Sequence, residues 1–300
     1  MYAVIVKRLP LIALYLSLTL TASAQQKSAL TFDLASIHQN NSGTGPGSDP
    51  DESNIPLGPG NVYTPTGGQL NLRNIDFLQF VSFAYRMNPA QQDALHDMLP
   101  SWAKDARFDL RARTDKTDVT KDELRLMMRS LLADRFGLAV HYEDRTISVF
   151  SMQFIKPGTL GPQLRVHPGN SCSTDFKGQD DTAAAPDGYP NVCGGTLLMK
   201  GSTGERLRIG GRDMALNTIA SSMPAWGDLG RPVVNDTGST GNYDFRIEFL
   251  APRVTATGQS DLQGPTFREA LSQQLGLKLE SQKKAVPILV LDHLDHLSDN

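Results

Sequence analysis

Residues 132–153, LADRFGLAVHYEDRTISVFSMQ, carry the reading on which the rest of the chain depends. The first residues end an apolar helical stripe, and Gly137 stands where a helix stops in the left-handed conformation. Apolar and polar residues then alternate through 138–142 and 146–154, the period of a strand. Glu143, Asp144 and Arg145 separate the two runs, so the stretch reads as a β-hairpin turning on those three residues. The same order of events returns in residues 271–292, LSQQLGLKLESQKKAVPILVLD. Gly137-Leu138 lies over Gly276-Leu277, 139 residues further on, and the two stretches align without a gap.

Upstream of the first copy, residues 29–37 alternate as a strand. Residues 39–68 hold seven Gly and five Pro and read as a long surface loop. A short strand at 69–73 leads to Asp76, a helix N-cap. Phe77, Phe80, Val81, Ala84 and Tyr85 follow on one helical face, the pattern of a core stripe. Residues 107–112 alternate as a half-exposed strand. Thr120 and Glu123 form a capping box, opening a helix with Leu124, Met127, Met128, Leu131 and Leu132 on one side.

The second copy has the same grammar. A strand at 206–209 precedes a helix marked by Met214, Leu216, Ile219, Ala220 and Met223 and closed by Pro224. Residues 242–246 resemble 107–111. Thr266 and Glu269 form another capping box, Gly276 stops the helix, and 277–280 with 286–292 read as a second hairpin. The expected fold is α+β: two tandem similar strand-helix-strand-helix-strand-strand units, with helices packed on mostly antiparallel sheet. The expected division is a signal peptide at 1–24, a first unit at 25–155, a disulfide-containing connecting excursion at 156–205 and a second unit at 206–300.

The chain of 300 residues is 39% hydrophobic and 20% charged, as in ordinary globular proteins. Lys7 and Arg8 precede an apolar run at 9–20 and then Ala22-Ser23-Ala24, the pattern of a secretory signal cleaved between Ala24 and Gln25. Losing Lys7 and Arg8 takes the formal charge from −3 to −5. No basic run marks a nucleic-acid partner. The expected location is periplasmic or secreted, with no integral membrane segment after cleavage. Cys172 and Cys193 are the only cysteines. In an exported protein such a pair is expected to form a disulfide, worth ~3 kcal/mol in the chain-entropy account.

Candidate chemistry is sparse. Asp236-Thr237-Gly238-Ser239 matches the aspartic-protease string, in which two carboxylates share a proton. It occurs once, so catalysis through Asp236 requires a homodimer, and the same residues make an ordinary turn. His293 and His296, with Asp292 and Asp295, lie at helical ligand spacing but follow a strand, and read as a frayed, solvated tail. The chain shows no nucleophile elbow, no phosphate-binding glycine pattern and no His-Glu-x-x-His. No catalytic residue, metal site or cofactor is expected.

Six blocks carry a resemblance: FDLASI, GGQLNLRNIDFLQFVSFAY, residues 102–109, LRLMMRSLLADRFGLAVHYEDR, RPVVNDTGSTGNYDF and GPTFREALSQQLGLKLESQKKAVPILVLDHL. In this order they resemble the soil-associated family of exported bacterial proteins, abundant in acidobacterial genomes and classed as a domain of unknown function. The resemblance implies export and no established activity. Related domains fused to membrane metallopeptidases of the β-lactam-sensor type imply a place in envelope sensing or binding. The family's turn is Asp-Lys-Thr-Gly. Here Asn235 stands in the Asp place and Asp236 in the Lys place, which weakens the protease reading. LNLRNIDFLQFVSFAY and TFREALSQQLGLKLESQ are also similar to the short N-terminal modules of secretins and TonB-dependent receptors, which bind periplasmic partners.

The sequence therefore points to a non-enzymatic binding or interaction module of the cell envelope. Its expected partner is an envelope protein, a peptide or a small ligand. A dimeric aspartic-type peptidase and an envelope scaffold are the alternatives.

Overall fold

The computed structural model describes residues 29–169, 172–174, 185–203, 205–251 and 264–298, and the Ala24–Gln25 junction of the expected signal peptide lies outside them. The first unit runs β1 (Leu34–Asn40), β2 (Glu52–Ser53), β3 (Gln69–Asp76), α1 (Phe77–Tyr85), α2 (Pro89–Met98), α3 (Ser101–Asp105), β4 (Arg107–Arg113), α4 (Lys121–Phe136) and β5 (Ala139–Phe154). The second runs β6 (Leu164–Val166), β7 (Thr196–Met199), β8 (Arg206–Ala215), α5 (Leu216–Gly227), β9 (Val233–Asn235), β10 (Asn242–Leu250), α6 (Phe267–Ala270) and β11 (Leu277–His293). Between α6 and β11 the helix continues as a π-helical turn over Leu271–Leu275.

The fold class is α+β with antiparallel pairing dominant. The two main sheets have the order β1-β4-β3-β2 and β6-β10-β8-β7, so each strand of one has its counterpart at the same place in the other. Residues 156–205, read as a connecting excursion, supply β6 and β7, the outer strands of the second sheet.

Local chemistry places these elements as the sequence indicated. Asp76 accepts from the Gln79 N–H at 2.7 Å and caps α1. Thr120 with Glu123 and Thr266 with Glu269 form complete capping boxes. Gly137 and Gly276 end their helices at φ 55° and 69°, where a Cβ is costly.

The duplication reaches strained backbone. Among the described residues four non-glycine residues have positive φ, and they form two matched pairs. Arg86 and Asp228 are the left-handed C-caps of α1 and α5. Asn74 and Asp213 sit in bulges of β3 and β8, at matching steps in register with β4 and β10. Each bulge is held by a carboxylate on the neighbouring strand: Asn74 N donates to Asp109 at 2.8 Å and Asp213 N to Asp244 at 3.1 Å. Asn40 and His167, at the ends of β1 and β6, bond the same two carboxylates. Asp244 and His167 thus repeat a device that the first unit builds with Asp109 and Asn40.

The expected hairpins do not form. β5 and β11 are each one continuous strand, and they pair with each other, antiparallel, from Leu277↔Phe154 to His293↔Ala139. Thr146 faces Ala285 at the centre of this ribbon, and these two residues are themselves 139 apart. The pair Val140↔Leu291 maps onto Leu279↔Met152 by the same offset, so the copies meet about a local two-fold axis. Glu143-Asp144-Arg145 is not a turn because it lacks the Gly or Asn that a tight hairpin requires. Its polarity reflects exposure, since residues 141–146 cross between two cores.

The first core gathers α1, α4 and the first sheet around Phe77, Phe80, Phe108 and Phe136, and the C-terminal half of β11 closes it with Leu289 and Leu291. The second gathers Phe245, Phe249, Ile219 and Leu271, and is closed by Met152 and Phe154 of β5 together with Leu277 of β11. Each long strand leaves one core and enters the other.

Two further expectations are corrected. Helix α5 does not end at Pro224 but continues to Gly227. Proline removes one hydrogen bond there, while Asp228 and Leu229 both donate to the Pro224 carbonyl and hold the last turn. The C-terminal residues are not a frayed tail. Asp295 N donates to Phe136 O at 2.7 Å and Ser298 N to Arg135 O at 2.9 Å, satisfying carbonyls left open at the end of α4. Leu294 and Leu297 pack on the first core.

Candidate binding cleft

A cleft of about 970 Å³ opens between the units. Its floor is the middle of the ribbon, with Arg145 and Ile147 from β5 and Val286, Pro287 and Ile288 from β11. One wall is the start of α2, with Asn88, Pro89 and Ala94. The other is the end of α5 and the segment into β9, with Ala225, Asp228, Arg231, Pro232 and Asn235. Helix α2 was not anticipated. Its signal was present: Asn88 caps, Pro89 takes the first turn, and Gln91 completes a capping box.

The lining is mainly apolar, with polar groups held in place. Arg145 is paired with Glu143 at 2.8 Å. Arg231 donates to Ser281 Oγ at 2.7 Å and lies over the Phe150 ring, 4.9 Å from its centre. Asn235 donates to Asn217 at 2.8 Å. The described lining residues include no Ser, Thr, Cys, His or Lys, and the ionisable side chains among them are Asp93, Arg145, Asp228 and Arg231. Apolar walls with a few fixed polar groups suit reversible binding.

The candidate catalytic carboxylate and the terminal histidines lie outside this lining. Asp236 pairs with Lys284 at 2.5 Å and accepts from Ser151 Oγ. Partial burial pushes its carboxyl up, but the hydrogen bonds from Lys284 and Ser151 and the ammonium charge outweigh it and hold it below the ordinary range. A protease dyad needs two carboxylates sharing a proton, whereas this one is ionised against a lysine. The terminal histidines do not converge: His293 bonds Asp295, and His296 stacks on Trp102 with ring centres 4.3 Å apart. Asp292 binds His141 at 2.8 Å.

Cys172 and Cys193 lie at disulfide distance, with Cα atoms 5.6 Å apart. A His167 ring nitrogen is within 4.8 Å of both sulfurs. That grouping has ligand-type atoms, but the sulfurs face each other and His167 Nδ1 is held by Asp244 at 2.7 Å.

A second contact between the units was not foreseen. Lys121 and Arg125, one turn apart on α4, are buried under the Gly/Pro loop. Lys121 Nζ donates to the carbonyls of Gly58, Gly60 and Val62 at 2.9–3.1 Å. Arg125 donates to those of Gly58, Pro59 and Gly60 and to Asp122 at 2.6 Å. The pinned loop reaches the second unit, where Asn61 N and Val62 N donate to Gly194 O. Burial pushes the Lys121 ammonium down to about 7, with Arg125 and Arg86 adding to the push. The three carbonyls act oppositely, because they need N–H donors and a charged ammonium supplies three.

The α4 cap makes stability pH-dependent. Lys116, then the Thr120 N–H and hydroxyl, bond Glu123 and pull its carboxyl down to about 2. The contribution of a depressed carboxyl is complete above its ordinary value and is lost as pH falls through its folded value. Between pH 4.5 and 2 the protein is therefore expected to lose stability that Glu123→Gln does not lose, which thermal unfolding at both ends of that window measures. Equal slopes for the two proteins would refute this.

The model of a family described as "Protein of unknown function (DUF3738)" matches residues 78–294. The chain belongs to this family. The matched span begins in α1 and ends just past β11, so it contains both halves of the ribbon and the whole described lining of the cleft. No curated protein and no solved structure matches the chain. Among the described residues no helix is long and apolar enough to cross a membrane.

Proposed function

We propose that the protein is an exported binding module of the bacterial cell envelope and that the cleft between its units receives the ligand. The observation that carries this reading is the cleft itself: about 970 Å³, apolar, floored by strands and walled by both units. Its lining holds no hydroxyl or thiol nucleophile and no histidine, which favours binding over acyl transfer, and the cystine-distance pair suits an oxidising compartment. The resemblance to acidobacterial exported proteins, and to the partner-binding modules of secretins and TonB-dependent receptors, agrees with both parts.

A thermal-shift panel of short peptides, peptidoglycan fragments and fatty acids tests it. One class is expected to raise the unfolding temperature saturably, and Ile288→Arg on the cleft floor is expected to abolish the shift. A panel without a saturable shift, or a shift that survives Ile288→Arg, overturns the reading.

A further inference from the structure

We propose that the ligand is an extended polypeptide segment, which joins the central sheet as a strand beside β5, in line with β9. This rests on the cleft being the binding site and names the chemistry of its occupant.

The argument is the direction of unpaired main-chain groups. β11 covers β5 along its whole length on one side. On the other side β9 covers only Phe150, Ser151 and Met152. There Phe150 N donates to Pro232 O at 2.8 Å and Met152 O accepts from Asp236 N at 2.9 Å. Main-chain direction alternates along a strand, so Ser148, Thr146, Asp144 and Tyr142 turn their N–H and C=O groups to that same side. Among the described residues no strand pairs with them there, and their side chains are exposed. A row of open donors and acceptors is a template for another strand.

The opposite edge of the sheet is closed. Pro287 faces Asp144 in the ribbon. Asp144 points its main chain away from β11, so that pair is of the kind without mutual hydrogen bonds, and Pro287 lies with its missing N–H on the outer edge. The ladder loses nothing, and an incoming strand would meet a gap there. Lys283 flanks the same edge, a further deterrent to strand addition. Between Tyr142 and Ser148, β5 has neither proline nor lysine. Of the two edges, the one without a proline borders the cleft, and its charges, Glu143, Asp144 and Arg145, are of both signs. A strand added there sets alternate side chains beside Glu143, Arg145 and Ile147 on the cleft face, with Val286 and Ile288 one strand further. It would therefore carry an apolar residue facing Ile147, charged or polar ones facing Glu143 and Arg145, and no proline at the bonding positions.

The test begins with eight-residue peptides displayed on phage and selected on the full chain. The strongest is synthesised unmodified and with N-methyl groups on either alternate set of main-chain nitrogens. One methylated set is expected to weaken binding by about tenfold or more and the other to have little effect, because only every second N–H meets β5. Thr146→Pro places a proline as Pro287 is placed, sparing the ribbon, and is expected to weaken binding similarly. The methylated peptides give the same information without altering the protein, should that variant unfold. A peptide sensitive to Ile288→Arg but indifferent to both methylated sets overturns strand addition and leaves the cleft reading intact. A peptide indifferent to Ile288→Arg as well overturns both, and a selection that yields no binding peptide overturns strand addition.

Discussion

Cutting the chain between β5 and β6 is expected to give two fragments that fold only together. The first fragment would keep α1, α4 and the first sheet but lose Leu289, Leu291, Leu294 and Leu297, which close its core. The second would lose Met152 and Phe154, both buried in its core. Each fully buried apolar side chain contributes about 1.5–3 kcal/mol. Several lost at once rival the ~5–15 kcal/mol by which whole domains are stable. Apart, the fragments are expected to show little cooperative unfolding. Mixed, they are expected to form a one-to-one complex with the native circular dichroism, because β5 and β11 lie on different fragments and pair along their full length. Size-exclusion chromatography with thermal unfolding decides it. Two fragments that each unfold cooperatively alone would mean that the units are independent and the ribbon is a tether.

Arg125→Met is expected to cost about 1–3 kcal/mol, the penalty for leaving buried acceptors short of a donor. The side chain is 2% exposed and donates to three loop carbonyls and to Asp122. Its removal leaves polar groups in a buried place with fewer donors. It also leaves Lys121 on the carbonyls, and Arg86 on the Asn61 side chain, to hold residues 58–62, through which the first unit meets Gly194 of the second. Arg125→Lys is expected to recover part of the loss, since an ammonium keeps the charge but not the planar fork. Urea unfolding measures both variants. A loss below about 1 kcal/mol for Arg125→Met, the size of a surface ion pair, would show that the clamp is incidental.

Legibility differed by element. Helices α1, α4 and α6 were readable because their caps are local: Asp76, Thr120 and Thr266 each act within three residues. Helix α2 carried an equally local signal in Asn88, Pro89 and Gln91, and was missed for want of an apolar stripe. Lys121 and Arg125 carried a weaker one, two cations one turn apart beside the apolar face of α4. Their partners are main-chain carbonyls, which leave no mark on side-chain identity. The cleft was not legible at all. Pro89, Ile147, Pro232 and Ile288 are far apart in sequence and converge only when the ribbon is closed.

By itself the sequence determined that the chain is built twice from one pattern. Gly137 and Gly276, the capping boxes and the alternating runs after each Gly are short-range chemistry, and short-range chemistry is written in neighbouring residues. Only the tertiary structure decided which strand pairs with which. Alternation specifies the face and register of residues 139–154 and 277–293, but a main-chain donor does not distinguish a partner three residues away from one in the other copy. That choice went to the arrangement that buries Leu289 in the first core and Met152 in the second, and the cleft is the space it leaves between them.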